Sequence, residues 1–162
     1  MAKQNEHILA LKKMAIEDLK SKHPNFPVNA LPQPKYSDKT ANGLTKCVID
    51  WLRFNGWQAE RINTMGTPKD NTKIVSDCLG RQYKIGSIEW RPTTATKGSS
   101  DISAVILGRS VKIEIKIGQD RQSPAQLAYQ QSIERAGGTY YIARTFADFV
   151  EFYTNFIKTN SK

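Results

Sequence analysis

Apolar residues recur at helical spacing in two segments near the start of the chain. Residues 5–22 carry one such set, and the stretch from Asp38 or Thr40 to Asn55 carries another. The first set is Ile8, Leu11, Ala15 and Leu19; the second is Val48, Ile49, Trp51 and Leu52. Four prolines lie between the two helices and favour an extended arm. We expect the first helix to pack on the core, with contact to a second subunit or to DNA as the alternatives.

Alternating and short apolar runs predict strands in the middle of the chain. "WQAERINT" is typical of one strand, and "KIVSD" and "RQYKIGSIEWR" of two more. "TMGTPKDNT" and "PTTATKGSS" have the composition of loops. "DISAVIL" and "VKIEIKI" give the clearest strand patterns, and the short "GRS" between them predicts a hairpin that turns about Gly108-Arg109.

The remaining segments alternate helix, strand and helix. Ser123 and Pro124 mark the start of a helix that Gly137-Gly138 ends. "TYYIAR" predicts a strand, and "TFADFVEFYTNFIKT" predicts a last helix that begins near Thr145 or Asp148. This order predicts an α/β domain with a mixed β-sheet flanked by helices, preceded by an N-terminal helix and a proline-rich arm.

The charge balance of the chain indicates a class of binding partner. The chain of 162 residues suits one domain, and its formal net charge is +9. Such an excess favours an anionic partner, of which nucleic acid is the commonest, although a solvated basic surface without a partner is the alternative.

The cysteines and the hydropathy exclude several other classes. Cys47 and Cys78 form no C-x-x-C pair and have no nearby histidine, so a zinc site is not expected. Cys47 falls on a helical apolar face and is predicted to be a buried thiol. Neither a signal-peptide pattern nor a membrane-spanning run is visible, so we expect no membrane partner and a cytoplasmic location in a bacterial or phage-infected cell.

Charged residues on the predicted hairpin form the candidate site. Residues alternate faces along a strand, so Glu114 and Lys116 share one face. The turn about Gly108-Arg109 would bring Lys116 near Asp101 or Ile102, and Glu114 near Ser103 or Ala104. Two carboxylates, a backbone carbonyl and waters make an oxygen-rich shell that suits Mg²⁺. A lysine beside it could orient water or stabilise charge on a phosphate.

At these residues the chain resembles the PD-(D/E)XK nuclease superfamily, and within it the VRR-NUC group of virus-type replication-repair nucleases. The motifs that carry the resemblance lie between about residues 40 and 145. They are Gly98-Ser99-Ser100-Asp101, Ile113-Glu114-Ile115-Lys116, Ser123-Pro124-Ala125-Gln126, Gly137-Gly138 and Tyr140-Tyr141-Ile142-Ala143-Arg144.

The resemblance implies a restriction-endonuclease-like core over residues 38–162, with residues 1–37 as the N-terminal helix and arm. It implies that Asp101, Glu114 and the carbonyl of Ile115 bind Mg²⁺, with Mn²⁺ able to substitute. Lys116 would be the catalytic lysine and Gln126 an active-site helper that contacts water or phosphate. Candidate substrate contacts are Ser99, Ser100, Arg121 and Arg144.

The chain also departs from the family pattern. Many members carry a metal-binding acid on the first core helix, where this chain offers Thr40 or Asn42 and no carboxylate before Asp50. Ser100 replaces the proline of the superfamily name. The segment "KIVSDCLGRQYKIGSIEWRP" is longer than expected and is interpreted as an insertion that touches DNA or a second subunit.

The resulting expectation is a Mg²⁺-dependent DNA endonuclease of phage or bacterial replication and repair. Structure-specific cleavage of Holliday junctions or flaps is the leading prediction, and a restriction-like endonuclease is an alternative on the same fold. A two-fold symmetric junction favours a homodimer. The alternative from another class is a non-catalytic nucleic-acid-binding module that keeps the fold and the charge.

Overall fold

The structure, a computed structural model, describes residues 2–63, 66–91 and 96–161, and for residues 2–5 the backbone alone. The chain divides into two compact units, Met1–Ile62 with Lys97–Lys162, and Asn63–Thr96. In the described part of the chain, no helix combines the length and the apolar character that a membrane crossing requires.

The first unit contains four helices, a short 3₁₀ turn at Val28–Ala30 and four strands among its described residues. The helices are α1 (Ala2–Lys22), α2 (Ala41–Phe54), α3 (Pro124–Arg135) and α4 (Phe146–Asn160). Its strands are β1 (Gln58–Arg61), β6 (Ile102–Ile106), β7 (Arg109–Ile115) and β8 (Thr139–Ala143). The second unit supplies β2 (Thr67–Asp70), β3 (Lys73–Ser76), β4 (Gln82–Ile85) and β5 (Ile88–Arg91).

The sheet of the first unit is mixed, as predicted. Its strand order is β1-β6-β7-β8, with antiparallel pairing from β1 to β7 and parallel pairing between β7 and β8. A parallel pair needs a crossover connection, and α3 provides it. Val111, Ile113 and Ile115 of β7 are buried in the core, where they meet apolar residues of the helices.

The helix predictions are confirmed because their capping signals act locally. Thr40 accepts a hydrogen bond from the N–H of Gly43, and Thr145 accepts one from the N–H of Asp148, so each caps its helix. Leu11 of α1 is fully buried in the core cluster, which confirms that the first helix packs on the core. Cys47 is buried, as predicted.

The hairpin of β6 and β7 turns one residue earlier than predicted. Its loop is Leu107-Gly108, and both residues have positive φ, at 51° and 73°. Ile106 pairs with Arg109, and Ser103 pairs with Lys112. The predicted pairing of Glu114 with Ser103 or Ala104 is therefore wrong. A two-residue loop of this kind usually carries asparagine or glycine first, and the partly buried Leu107 gives no such signal.

The second unit differs from its sequence prediction in two places. Residues 67–70 pair with β5, so the predicted loop is wrong there, whereas Thr64 and Met65 lie outside the described residues. The predicted single strand over 81–91 is interrupted at Gly86, whose φ is +95° and whose missing side chain lets Asn71 approach. Of the predicted loop 92–100, residues 92–95 are not described.

Candidate active site

The site lies where β7 ends beside the residue that precedes β6. Ile102 pairs with Ile113, so Asp101 reaches the position next to Glu114. The carboxylate of Asp101 accepts a hydrogen bond from the N–H of Ile115 through Oδ2, at 2.9 Å. This register brings the two acids closer together than the predicted one, because the earlier turn shifts the strands by two residues.

Glu114 is buried, with 2% of its surface exposed, and hydrogen-bond donors surround its carboxylate. Its Oε1 lies 3.2 Å from Nζ of Lys116 and also accepts from the side-chain amide of Gln126. Its Oε2 accepts from the hydroxyl of Tyr140 at 3.4 Å. Burial and, secondarily, the charge of Asp101 raise the pKa of Glu114, while the bonds from Lys116 and Tyr140 partly oppose that rise. The half-buried Asp101 thus lies close enough to the buried Glu114 for its charge to act on it, and such a pair of carboxylates attracts a cation.

Lys116 lies at the centre of this cluster and is 6% exposed. Its Nζ lies 3.2 Å from Glu114 Oε1, 3.3 Å from Asp120 Oδ2 and 3.2 Å from Gln126 Oε1. Its backbone N–H donates to the carbonyl of Ala143 on β8, at 3.0 Å. The ammonium is thus held by two acids and an amide, and its three donors point into the cluster.

Gln126 reaches the cluster because a capping box fixes it. The Ser123 hydroxyl accepts from the N–H of Gln126, while Oε1 of Gln126 accepts from the N–H of Ser123 at 2.9 Å. The same Oε1 accepts from Lys116, and the amide group donates to Glu114. The start of α3 therefore orients Glu114 of β7 and Lys116, which follows the strand.

The turn before Asp101 packs directly on α3. Gly98 has φ +81°, and a Cβ there would overlap the backbone of Ala125, so glycine is required for this approach. The Ser100 hydroxyl is buried and donates to the carbonyl of Ile102 at 3.0 Å. Ser99 Oγ is buried with no hydrogen-bond partner among the described residues. Ser100 thus stabilises the turn that carries Asp101.

The two candidate arginines differ in their surroundings. Arg144 donates to the carbonyls of Gly118 and Asp120, at 3.2 and 3.3 Å, so it stabilises the loop that carries Asp120. Arg121 is exposed. Of the residues singled out on the first core helix, Thr40 is a cap, Asn42 accepts from Arg61, and Asp50 accepts from the Tyr36 hydroxyl at 2.9 Å.

The site offers oxygen atoms of the kind that magnesium binds, in the carboxylates of Asp101 and Glu114 and the carbonyl of Ile115. The N–H of Ile115 points to Asp101, and the N–H and C=O of one strand residue point to the same side, so the Ile115 carbonyl faces that acid. No group of three or more His, Cys, Asp or Glu residues that could hold a metal occurs in the described ranges. Two carboxylates with a carbonyl suit Mg²⁺, which proteins often bind through one or two carboxylates.

Sequence reasoning assigned no role to four residues around the site, Asp120, Gln122, Tyr129 and Tyr140. Tyr140 bonds Glu114 and is itself hydrogen-bonded to Gln122, and the ring of Tyr129 packs edge-on against it. Asp120 shares Lys116 with Glu114. The signal for Tyr140 is its place on the strand after α3, but its reach to Glu114 depends on the β7–β8 register, which the sequence does not give.

Comparison of this chain with protein-family models, with curated protein sequences and with solved structures finds no match.

Proposed function

We propose that this chain is a divalent-cation-dependent endonuclease that hydrolyses phosphodiester bonds in DNA. The observation that carries the proposal is the cluster of Asp101, Glu114 and Lys116, in which the buried carboxylate of Glu114 and the buried ammonium of Lys116 lie beside the half-buried Asp101 at a strand end. Asp101 raises the pKa of Glu114 beyond the rise that burial alone gives it. Such an arrangement is typical of sites that hold a cation and act on an anionic substrate.

The residues of the site have separable roles in this proposal. Asp101, Glu114 and the carbonyl of Ile115 would hold Mg²⁺ or Mn²⁺. A divalent cation held there would polarise a phosphate oxygen and lower the pKa of an attacking water. Lys116 would then turn from Glu114 toward the substrate, where its ammonium stabilises charge that develops on the phosphate. Gln126, held by its capping box with Ser123, would keep the side chains of Lys116 and Glu114 in position.

DNA is the proposed substrate because the chain carries 24 basic and 15 acidic residues. The arrangement of sheet and helices is proposed to be that of a restriction-endonuclease-like core, as in the PD-(D/E)XK superfamily and its VRR-NUC group. Within that class we propose a structure-specific enzyme of replication or repair that acts on Holliday junctions or flaps. A homodimer would match the two-fold symmetry of a junction.

The decisive experiment is incubation of the pure protein with plasmid and with a labelled four-way junction, in Mg²⁺, in Mn²⁺ and in EDTA. We expect cleavage with either metal and none in EDTA. Asp101→Asn and Glu114→Gln should reduce the rate at least about 100-fold while leaving DNA binding intact, and Lys116→Ala should reduce it by about 100-fold. Asp50→Asn is the matched control, because its carboxylate bonds Tyr36 away from the cluster.

Full activity of Asp101→Asn or Glu114→Gln would refute the metal-site assignment. The second candidate function is a non-catalytic nucleic-acid-binding module. The observation that favours it is the small number of acids, since the described residues contain no third His, Cys, Asp or Glu that completes a metal-binding group. DNA binding without cleavage under any of the three conditions would select that module.

A further inference from the structure

The second compact unit forms a two-stranded ribbon, defined here as residues 66–91. Strands β2 and β5 pair in one part and β3 and β4 in the other. The N–H of Asn71 donates to the carbonyl of Ser87 at 3.3 Å between the two parts, so they form one ribbon with an interruption at Gly86. An isolated two-stranded hairpin is only marginally stable in water, so we expect a binding partner to stabilise the ribbon.

The ribbon exposes an unusual amount of apolar surface. Six large apolar side chains between 46% and 72% exposed lie along it. They are Ile74, Leu79, Tyr83, Ile85, Ile88 and Trp90. Exposed apolar residues grouped in this way mark interaction sites, whereas single ones do not.

Basic residues alternate with these apolar residues. The ribbon carries five basic residues, Lys69, Lys73, Arg81, Lys84 and Arg91, and three acidic ones. Within the described residues, none of the five basic side chains forms an ion pair. The acids are engaged within the ribbon: Asp70 accepts from Thr72, Asp77 from the N–H of Arg81, and Glu89 from Asn71. The ribbon therefore has more basic than acidic residues, and its basic side chains lie beside apolar groups without an ion-pair partner in the described part of the chain.

Both faces of the ribbon share this mixed character. Lys73 pairs with Ile85 and Val75 with Tyr83 on one face, while Ile74 pairs with Lys84 on the other. The cores of protein–protein interfaces are depleted in lysine, so this pattern does not fit a protein partner. Pairing of two ribbons edge to edge is also disfavoured, because Pro68 in β2 has no N–H and the charged Lys69 follows it.

Nucleic acid with exposed bases matches both kinds of group. Phosphates accept the basic side chains, and aromatic or aliphatic side chains stack on bases or insert between them. A regular duplex would use only the basic residues, since most of its contacts are to the phosphate backbone. Apolar groups on both faces suit a place where two strands separate.

We propose that the ribbon binds branched DNA at unpaired or unstacked bases, with Trp90 and Tyr83 as the stacking residues. Lys73 and Lys84 contact the neighbouring phosphates. The proposal rests on the proposed function, because it names the DNA structure on which that activity would act. It adds a second binding element, made of residues that lie outside the candidate active site.

Fluorescence and binding in EDTA test the ribbon without cleavage. Trp90 is 63% exposed, whereas Trp51 and Trp57 pack against the core, so a quencher of exposed tryptophan reports mainly on Trp90. Binding of a single-stranded oligonucleotide or a four-way junction should lower the fluorescence of Trp90 and shield this residue from the added quencher. A linear duplex of the same sequence should have a much smaller effect on both signals.

Variants separate stacking from charge. Trp90→Ala should weaken binding to the junction and the single strand about tenfold and leave duplex binding nearly unchanged. Lys84→Ala should weaken binding to all three and lower the slope of log K against log salt by about one. Phe26→Ala is the matched control, because Phe26 is an equally exposed aromatic residue at 60%, outside the ribbon.

The outcomes distinguish this inference from the proposed function. If Trp90→Ala and Tyr83→Ala bind the junction as the wild type does, the ribbon proposal is wrong, even when Mg²⁺-dependent cleavage is present. If these variants change only the molar mass in light scattering, the ribbon is a contact between copies, which also overturns the proposal. If the wild type does not cleave DNA while Trp90→Ala and Tyr83→Ala selectively lose junction binding, the nuclease proposal is refuted and the ribbon proposal stands.

Discussion

At the scale of single residues, the site depends on a carboxylate that is hard to ionise. Glu114 is buried beside Asp101, and an acid whose pKa is raised in the folded state destabilises the fold once it is charged. The cluster keeps this unfavourable charge close to Lys116 and Gln126 instead of in water. A neutral side chain would be easier to bury at this position, so Glu114 is a poor choice for stability alone.

Asp101→Asn should therefore stabilise the protein at neutral pH while removing the proposed activity. Asparagine can still accept from Ile115, but it no longer raises the pKa of Glu114. Above the raised pKa of Glu114 the variant gains stability, and the gain disappears as the pH falls below the ordinary glutamate value, where Glu114 is protonated whether folded or not. Urea unfolding in EDTA at pH 8 and pH 4 measures the difference.

Asp120→Asn is the control for this prediction. Asp120 also lies beside Lys116, yet it is 58% exposed and is not among the charges that raise the pKa of Glu114. Its replacement should give no gain at pH 8. An equal gain in both variants, or a gain for Asp101→Asn that persists at pH 4, would contradict the explanation.

Single residues also show what the sequence can and cannot predict. The nearness of Asp101, Glu114 and Lys116 was predictable, because strand alternation and a tight hairpin are local features, whereas Gln126 was added only by the family resemblance. The depth of Glu114 and its bond from Tyr140 were not, because both depend on the strand register and on packing across β8. Local pattern determines which residues share a face, and tertiary packing determines how far water reaches them.

At the scale of elements, α3 links helix stability to the site. Ser123 caps α3, and Gln126, its partner in the capping box, bonds both Lys116 and Glu114. Loss of the cap hydroxyl should cost about 1 kcal/mol of unfolding free energy and also free the start of the helix.

Ser123→Ala and Thr145→Ala form a matched pair that tests this link. Both remove an N-cap hydroxyl that accepts a backbone N–H, and both should lower the unfolding free energy by about 1 kcal/mol. Only Ser123→Ala should also lower the cleavage rate, by roughly tenfold, because only Ser123 supports Gln126. Urea melts and initial rates with plasmid measure both effects. Equal rates for the two variants would show that the cap does not position Gln126.

Elements differ in how well the sequence predicts them. Helices α2, α3 and α4 carried their own caps and stops, so their bounds followed from the sequence. The β6–β7 turn did not, because Leu107 adopts a positive φ that leucine normally avoids. Strand β2 was missed since proline and charged residues are typical of loops, and they are tolerated here at the edge of a two-stranded ribbon.

At the scale of the whole molecule, the ribbon is an insertion into a sheet that is complete without it. The four strands of the mixed sheet and the core residues all belong to Met1–Ile62 and Lys97–Lys162. Strands β1 and β6, which precede and follow the insertion, are direct neighbours, and Arg61 pairs with Ile102. The first unit should therefore fold without the second.

Replacement of residues 64–95 by a four-residue Gly-Ser linker should leave a cooperative unfolding transition. The unfolding free energy should stay within about 2 kcal/mol of the full chain, since a shorter connection changes mainly the entropy of loop closure. Thermal melts followed by circular dichroism measure this. A broad, non-cooperative transition would show instead that the first unit needs the ribbon to fold.

The way in which the insertion is joined has a mechanical consequence. The N–H of Ile62 donates to the carbonyl of Asp101 at 2.8 Å, and this bond closes the end of the β1–β6 pair from which the insertion departs. Tension on the insertion would pull strands β1 and β6 apart from that end. It would therefore load the hydrogen bonds between them one after another and not all at once. Among the backbone hydrogen bonds of the β1–β6 pair, the one between Ile62 and Asp101 would be loaded first, so a pulling force would reach the backbone of Asp101 before it reached the rest of this strand pair.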